Sequence, residues 1–327
     1  MKKLMRFAAF FAILPFLVLT SCSDDSSDPT PEAQDQFDAF KSYMVTNNMD
    51  VTNVLDGWIT SATVVHDAMD DFYVIDIRQE ADFNNGHIAG AVNATLGNLL
   101  EKAADAGGKT IVVTCYTGQT AGVAVVALRL SGYPTAKVLK WGMSSWNPTT
   151  NGSWANATSS FALDDANWAP APGDIVASTP MNAPELLYTT DNMEEILADR
   201  VAKLLEGGFK GVNNTDVLAN PANYFINNYW ALGDVEAHGN IKTARRILPF
   251  TLADGEYAYL DGAGKVVTYC WTGQTSSMLT AYLTVLGYDA YSLKFGANGM
   301  IWSDLEVNHQ FSADTQTMDY DLTTSTK

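Results

Sequence analysis

One short segment of this chain is written twice. Val112-Val113-Thr114-Cys115-Tyr116-Thr117-Gly118-Gln119-Thr120 is answered by Val267-Thr268-Tyr269-Cys270-Trp271-Thr272-Gly273-Gln274-Thr275. The cysteines stand 155 positions apart, Gly132-Tyr133 recurs as Gly287-Tyr288 at the same offset, Trp146 recurs as Trp302 at 156, and His87 as His238 at 151. A near-constant offset over several marks indicates duplication. Each half is long enough to hold its own core. The expected organisation is a first domain over residues 37–150 and a second over 185–311, the second degenerate in its front half. Residues 151–184 are rich in Asn, Ala, Ser and Pro, with Pro170, Pro172, Pro180 and Pro184, and read as a linker. Residues 312–327 read as a loose polar tail.

Elements alternate within each half. Phe72-Tyr73-Val74-Ile75 and Thr110-Ile111-Val112-Val113-Thr114 are short apolar runs of the kind that buried parallel strands show. Gln119 to Leu130 reads as a helix ended by Gly132, and Thr275 to Leu286 as its counterpart ended by Gly287. Val138-Leu139 begins another strand. Strand, loop, helix, strand implies an α/β fold, three layers deep, with a mostly parallel sheet in each half.

The chemistry falls where a strand ends and a helix begins. Open α/β sheets bind ligands at the carboxyl edge of their strands, and Cys115 stands at that edge. The loop Tyr116-Thr117-Gly118-Gln119-Thr120 then opens into the helix. Unpaired N–H groups and partial positive charge at a helix start favour a thiolate, so a lowered thiol pKa is expected. Gly118 lets the loop curl into an anion nest. Cys270, with Trp271, Thr272, Gly273, Gln274 and Thr275, repeats the arrangement. Two roles are open to Tyr116 and Trp271: an aromatic roof over the site, or packing on the neighbouring domain.

These residues resemble the rhodanese family of sulfurtransferases. Cys115-Tyr116-Thr117-Gly118-Gln119-Thr120 fits the family's Cys-x-x-Gly-x-Arg loop at Cys and Gly. Upstream, Asp76-Ile77-Arg78 and Gly86-His87-Ile88-Ala89-Gly90-Ala91 are similar to its Asp-x-Arg and Gly-His-Ile-x-Gly-Ala segments. The resemblance spans residues 58–146 in the first half and 266–302 in the second, where Asn227 and Tyr229 are aligned with Asp76 and Arg78. It implies two rhodanese-like α/β/α domains. It also implies sulfur transfer in two steps, with no metal and no organic cofactor. A cysteine thiolate takes a sulfane sulfur from a small sulfur-containing anion or persulfide donor, and a thiol or cyanide acceptor removes it. Cys115 and Cys270 are the implied catalytic residues, with Cys270 a second site or a relay. Asp76, Arg78 and His87 are implied structural supports.

One departure matters. The family's loop ends in Arg or Lys, where this chain has Thr120 and Thr275. That removes a charge-assisted contact of a kind worth about 1.5–3 kcal/mol, which disfavours thiosulfate as donor relative to a neutral or protein-borne persulfide. It also weakens a phosphatase reading, since a phosphate site uses a bidentate Arg. Two other readings stand beside the enzyme: a non-catalytic module binding anions or proteins with the same loops, and a thiol-redox protein pairing Cys115 with Cys270. Four histidines without ligand spacing imply no metal site.

Address and charge come from the ends and the composition. Lys2, Lys3 and Arg6 precede an apolar run over Phe7 to Leu19, too short to span a bilayer and typical of a secretory signal. Leu19-Thr20-Ser21-Cys22 resembles the bacterial lipobox, which implies cleavage after residue 21, lipidation of Cys22 and a membrane tether in the cell envelope. An ordinary cleaved signal with a stray cysteine is the plainer alternative. Residues 22–36 read as a flexible tether. A net charge of −18 argues against nucleic acid as partner.

Overall fold

The computed structural model describes residues 33–325. The expected leader, the lipidation residue Cys22 and the first part of the tether lie outside the described residues.

Two parallel sheets organise the chain. Short runs of β-branched residues form the strands because, buried on both faces, each can be apolar throughout. The first sheet has the order β1-β5-β4-β2-β3, from β1 (Ile59–Thr60), β2 (Phe72–Asp76), β3 (Val92–Asn93), β4 (Thr110–Thr114) and β5 (Lys137–Leu139). The second, ordered β7-β11-β10-β8, uses β7 (Gly211–Val212), β8 (Phe225–Asn228), β10 (Lys265–Tyr269) and β11 (Asp289–Leu293). All pairings within these two sheets are parallel. The protein is therefore α/β with parallel sheets of five and four strands. The strand before each cysteine lies inside its sheet and is nearly wholly buried.

Two long helices follow these strands, Gln119–Leu130 and Gln274–Leu286. Both start after a glycine in the left-handed region, Gly118 at φ +82° and Gly273 at φ +74°. Both are almost wholly buried, because each is covered by its own sheet on one side and by the other helix on the other. Gly122 makes the close approach possible: a β-carbon there would lie 2.9 Å from Ser277 Oγ. Ser277 Oγ donates to Gln119 O at 2.5 Å. Helices Ala33–Thr46 and Met193–Gly207 close the same core with Phe37, Phe40, Met44, Ile196 and Val201. The described residues 33–325 thus form one compact unit.

Register corrects one alignment. Asp76 pairs with Thr114 in the first sheet, and Asn228 pairs with Tyr269 at the matching place in the second. Asn228, not Asn227, therefore stands where Asp76 does, and two residues on, Trp230, not Tyr229, where Arg78 does. The turn and short helix between β8 and β9 (Asn240–Ile241) shift the count by one against the histidine used to align them.

The stretch expected as a linker is structured. Trp154 is completely buried, and β6 (Trp168–Ala169) pairs antiparallel with β9. The C-terminal stretch, expected to be loose, is also packed. Met318, Tyr320 and Leu322 lie against the core of the first half, and the backbones of His87 and Thr323 exchange two hydrogen bonds of 2.9 Å. Apolar residues at every second position let one face of this segment bury while the other stays wet. Among the described residues no helix is long and apolar enough to cross a membrane.

Candidate active site

Cys115 follows the last residue of β4, where the chain leaves the sheet. Its thiol is 3% exposed. Sγ accepts from Gly118 N at 3.2 Å and Ala121 N at 3.4 Å, so the loop and the helix start both point donors at sulfur. The segment after β5 holds the loop from behind. Met143 N donates to Cys115 O at 2.8 Å, Ser144 Oγ to Tyr116 O at 2.9 Å, and Trp154 Nε1 to Thr117 O at 3.0 Å. Gly142 presses directly on the loop.

The expected drop in thiol pKa is not found at Cys115. Burial pushes its pKa up, because a charged sulfur there loses its water. The N–H groups of Ala121, Thr117 and Gly118 pull the other way, and the Asp76 carboxylate adds to the rise. The helix-start effect is real, but desolvation exceeds it.

Cys270 follows the last residue of β10 in a parallel setting and is 2% exposed. Ala297 N donates to its carbonyl at 3.0 Å, as Met143 does in the first half. Sγ accepts from Ser276 N at 3.3 Å and donates to Ser276 Oγ at 3.6 Å. Ser276 Oγ lies 2.8 Å from Ser292 Oγ, and Ser292 donates to Gly273 O at 3.4 Å. Cys115 and Cys270 are both free thiols in this structure.

The amide oxygens of both glutamines reach out of their own loops. Gln119 Oε1 accepts from Phe295 N at 2.8 Å in the other half, and Gln274 Oε1 accepts from Trp141 N at 2.9 Å. Both side chains are buried. Trp141 and Phe295 occupy the left-handed region at φ +67° and +61°, a conformation unusual for bulky residues. Each is held there by the other half's glutamine and by an aromatic cluster. In it Trp154 meets Trp141 edge-on at 4.9 Å and stacks on Phe311 at 5.3 Å. None of this was expected from the repeat.

The two aromatic residues after the cysteines differ. Tyr116, 36% exposed, donates to the Asp82 carboxylate and accepts from Gln79 N at 3.4 Å. It walls a cavity of about 410 Å³ with Arg78, Asp82, Asn85, Thr149 and Ser153. Trp271 stays within its own half, stacked on Trp230 at 4.2 Å and meeting His309 edge-on at the same separation. His309 was not singled out in the sequence, since it lies beyond the repeat's marks. Its pKa is lowered, chiefly by burial.

Thr117 and Thr272 support the loop turns. Thr117 Oγ1 accepts from Gln119 Nε2 at 3.1 Å, and Thr272 Oγ1 accepts from Gln274 N at 3.2 Å. Thr120 and Thr275 stand half-buried in the first helical turns. Asp76 and Arg78 form a buried ion pair at 2.6 Å, and Arg78 also donates to Gly86 O at 2.7 Å. His87 Nδ1 donates to Phe83 O at 2.8 Å, and its ring stacks on Phe83 at 3.9 Å. These three residues tie the turn before β3 to the end of β2. In the second half His238 instead pairs with Asp304 at 2.9 Å.

A buried thiol at the carboxyl end of a central parallel strand, facing N–H groups at a helix start, defines a class of α/β proteins built around a cysteine loop. Comparison with known proteins narrows the class. The model of the rhodanese-like domain matches residues 61–149. The thiosulfate sulfurtransferase GlpE of Shewanella oneidensis is 36% identical over 75 residues, 23% of this chain and 74% of that protein. The uncharacterized protein YibN of Escherichia coli strain K12 is 33% identical over 84 residues, 24% of this chain. The chain spans 57% of the length of YibN. Among solved structures, a thiosulfate sulfurtransferase from Pseudomonas aeruginosa aligns with 85% of this chain and 48% of its own, at 14% identity and a TM-score of 0.29. The chain belongs to the rhodanese family.

Proposed function

We propose that this protein is a sulfurtransferase that carries sulfur as a cysteine persulfide. The observation that supports it most is a thiol held just past a strand end in both halves, with two backbone N–H groups aimed at Cys115 Sγ and one at Cys270 Sγ. In the first step the cysteine thiolate attacks the outer sulfur of a persulfide or polysulfide. The donor's S–S bond breaks, its electron pair leaves with the remaining thiolate, and the enzyme holds Cys–S–S⁻. In the second step an acceptor thiolate or cyanide takes the outer sulfur, and the cysteine thiolate returns. The N–H groups stabilise the anion in both steps without reorganising.

Thr120 and Thr275 stand where the family pattern has a cation, which supports persulfide or polysulfide over thiosulfate as donor. We also place the protein in the bacterial cell envelope, tethered by lipid at Cys22, on the strength of the Leu19-Thr20-Ser21-Cys22 motif. Labelled fatty acid retained by the wild type and lost in Cys22→Ser checks that placement.

Intact-mass spectrometry tests the activity. After polysulfide the chain should gain sulfur, lose it to cyanide or a thiol, and gain none in the Cys115→Ser/Cys270→Ser double variant. Absence of any gain overturns the reading and leaves the non-catalytic binding module.

A further inference from the structure

We propose that Cys270, rather than Cys115, is the principal carrier of anionic sulfur, and that the Ser276 and Ser292 hydroxyls stabilise it there. The inference deepens the sulfurtransfer reading and rests on it.

The two halves share a scaffold, so they can be compared position by position. Val113 pairs with Val138 in the first sheet, and Thr268 pairs with Ser292 at the same place in the second. One strand over, Ile75 pairs with Val113, and Asn227 with Thr268. On the helix above, Ala121 holds the place of Ser276. The apolar set Ile75, Val113, Val138 and Ala121 of the first half thus becomes Asn227, Thr268, Ser292 and Ser276 in the second, where Asn227 holds the Ile247 backbone and Ser276, backed by Ser292, meets Cys270. All four of the latter are buried. Burying polar groups in place of well-packed apolar ones destabilises a core unless the groups are used.

The serines form a directed chain. Ser292 donates to Gly273 O, Ser276 to Ser292 Oγ, and the Cys270 thiol to Ser276 Oγ. When the thiol loses its proton, Ser276 turns its own O–H onto sulfur, and Ser292 turns to fill the Ser276 acceptor. The chain therefore satisfies the site in both protonation states, and with a persulfide as well as a thiolate. Cys115 has two backbone donors and no hydroxyl, where Cys270 has one backbone donor and the serine chain.

Charge points the same way. Asp76 is a carboxylate that disfavours an anion at Cys115. Its counterpart by register is the uncharged Asn228, fully buried, with neither Oδ1 nor Nδ2 partnered. An orphaned amide at that depth is an unused donor beside the strand end where the anion would form.

The test measures thiol reactivity, independent of sulfur transfer. The full chain is alkylated with iodoacetamide across pH 6–10, and each cysteine is followed by peptide mapping. The thiols are equally buried, so access does not favour either. Cys270 should react about tenfold faster than Cys115 at pH 7. Ser276→Ala should slow Cys270 about tenfold while leaving Cys115 unchanged. Ser292→Ala should act in the same direction, and serves if Ser276→Ala fails to fold. Ala121→Ser should quicken Cys115. Equal or faster reaction at Cys115, or a Cys270 rate within twofold of wild type in both serine variants, overturns the proposal. Polysulfide loading on the same samples separates the two claims. Absence of sulfur on any cysteine sinks the transfer reading, while the alkylation ranking still decides which thiol is the anion site.

Discussion

At Gly142 the backbone has φ +61°, and a β-carbon there would lie 2.5 Å from Cys115 O and 2.6 Å from Gly118 N. The thiol loop is thus moulded against a residue without a side chain. Gly142→Ala must both hold a left-handed conformation and push the loop outward, and should cost about 1–3 kcal/mol in a urea melt. Gly108→Ala carries the same backbone strain at φ +86° with nothing within 4 Å, and should cost only about 1 kcal/mol. A similar loss in both would show that the loop does not lean on Gly142. Asp76→Asn would leave the Arg78 guanidinium buried without its counter-ion, a change of about 3–5 kcal/mol by urea melt. The family resemblance marked Asp76 and Arg78 as supports, and the structure shows them as a buried ion pair. The rise in the Cys115 pKa was not legible in the sequence. A helix start can be read from sequence, whereas the depth of burial depends on what Trp154 and Gly142 bring from elsewhere.

The strands and helices around each cysteine were legible from their apolar runs and glycine stops, and the observed helices differ from expectation by one residue at a single end. The glutamines were not. Sequence places Gln119 in the first loop but says nothing about which backbone its amide reaches. It accepts from Phe295 N, and Gln274 from Trp141 N. Gln274→Ala orphans the buried Trp141 N–H and should cost about 1–3 kcal/mol, and Gln119→Ala orphans the part-buried Phe295 N–H and should cost about 1 kcal/mol. Each should also release a bulky residue from the left-handed region, read as a change in Trp fluorescence. Unchanged melts and spectra would show that the aromatic cluster alone holds those turns. Average composition likewise hid the packing of residues 151–184, where two buried tryptophans sit among prolines and polar residues that read as linker.

At the scale of the molecule, stability should depend on alkaline pH. Burial raises the pKa of the Cys115 thiol, takes Tyr229 up to about 12, and raises Tyr269, Tyr282 and Tyr288 as well. In the unfolded chain these groups ionise near about 8.5 for thiol and about 10 for phenol. The folded state therefore holds its protons longer, and its advantage is full below those values and lost as pH rises through the folded ones. The urea midpoint should fall between pH 7 and pH 10.5, and a flat or rising midpoint would contradict the burial of these groups. The crossed glutamines carry a different consequence. When a residue of one half meets a partner in the other, and the equivalents meet in reverse, the contact is isologous, the kind a two-fold operator generates between separate subunits. Such a contact is self-complementary and closed. The halves are thus related as the subunits of a C2 dimer are, with covalent linkage replacing concentration as what keeps them together.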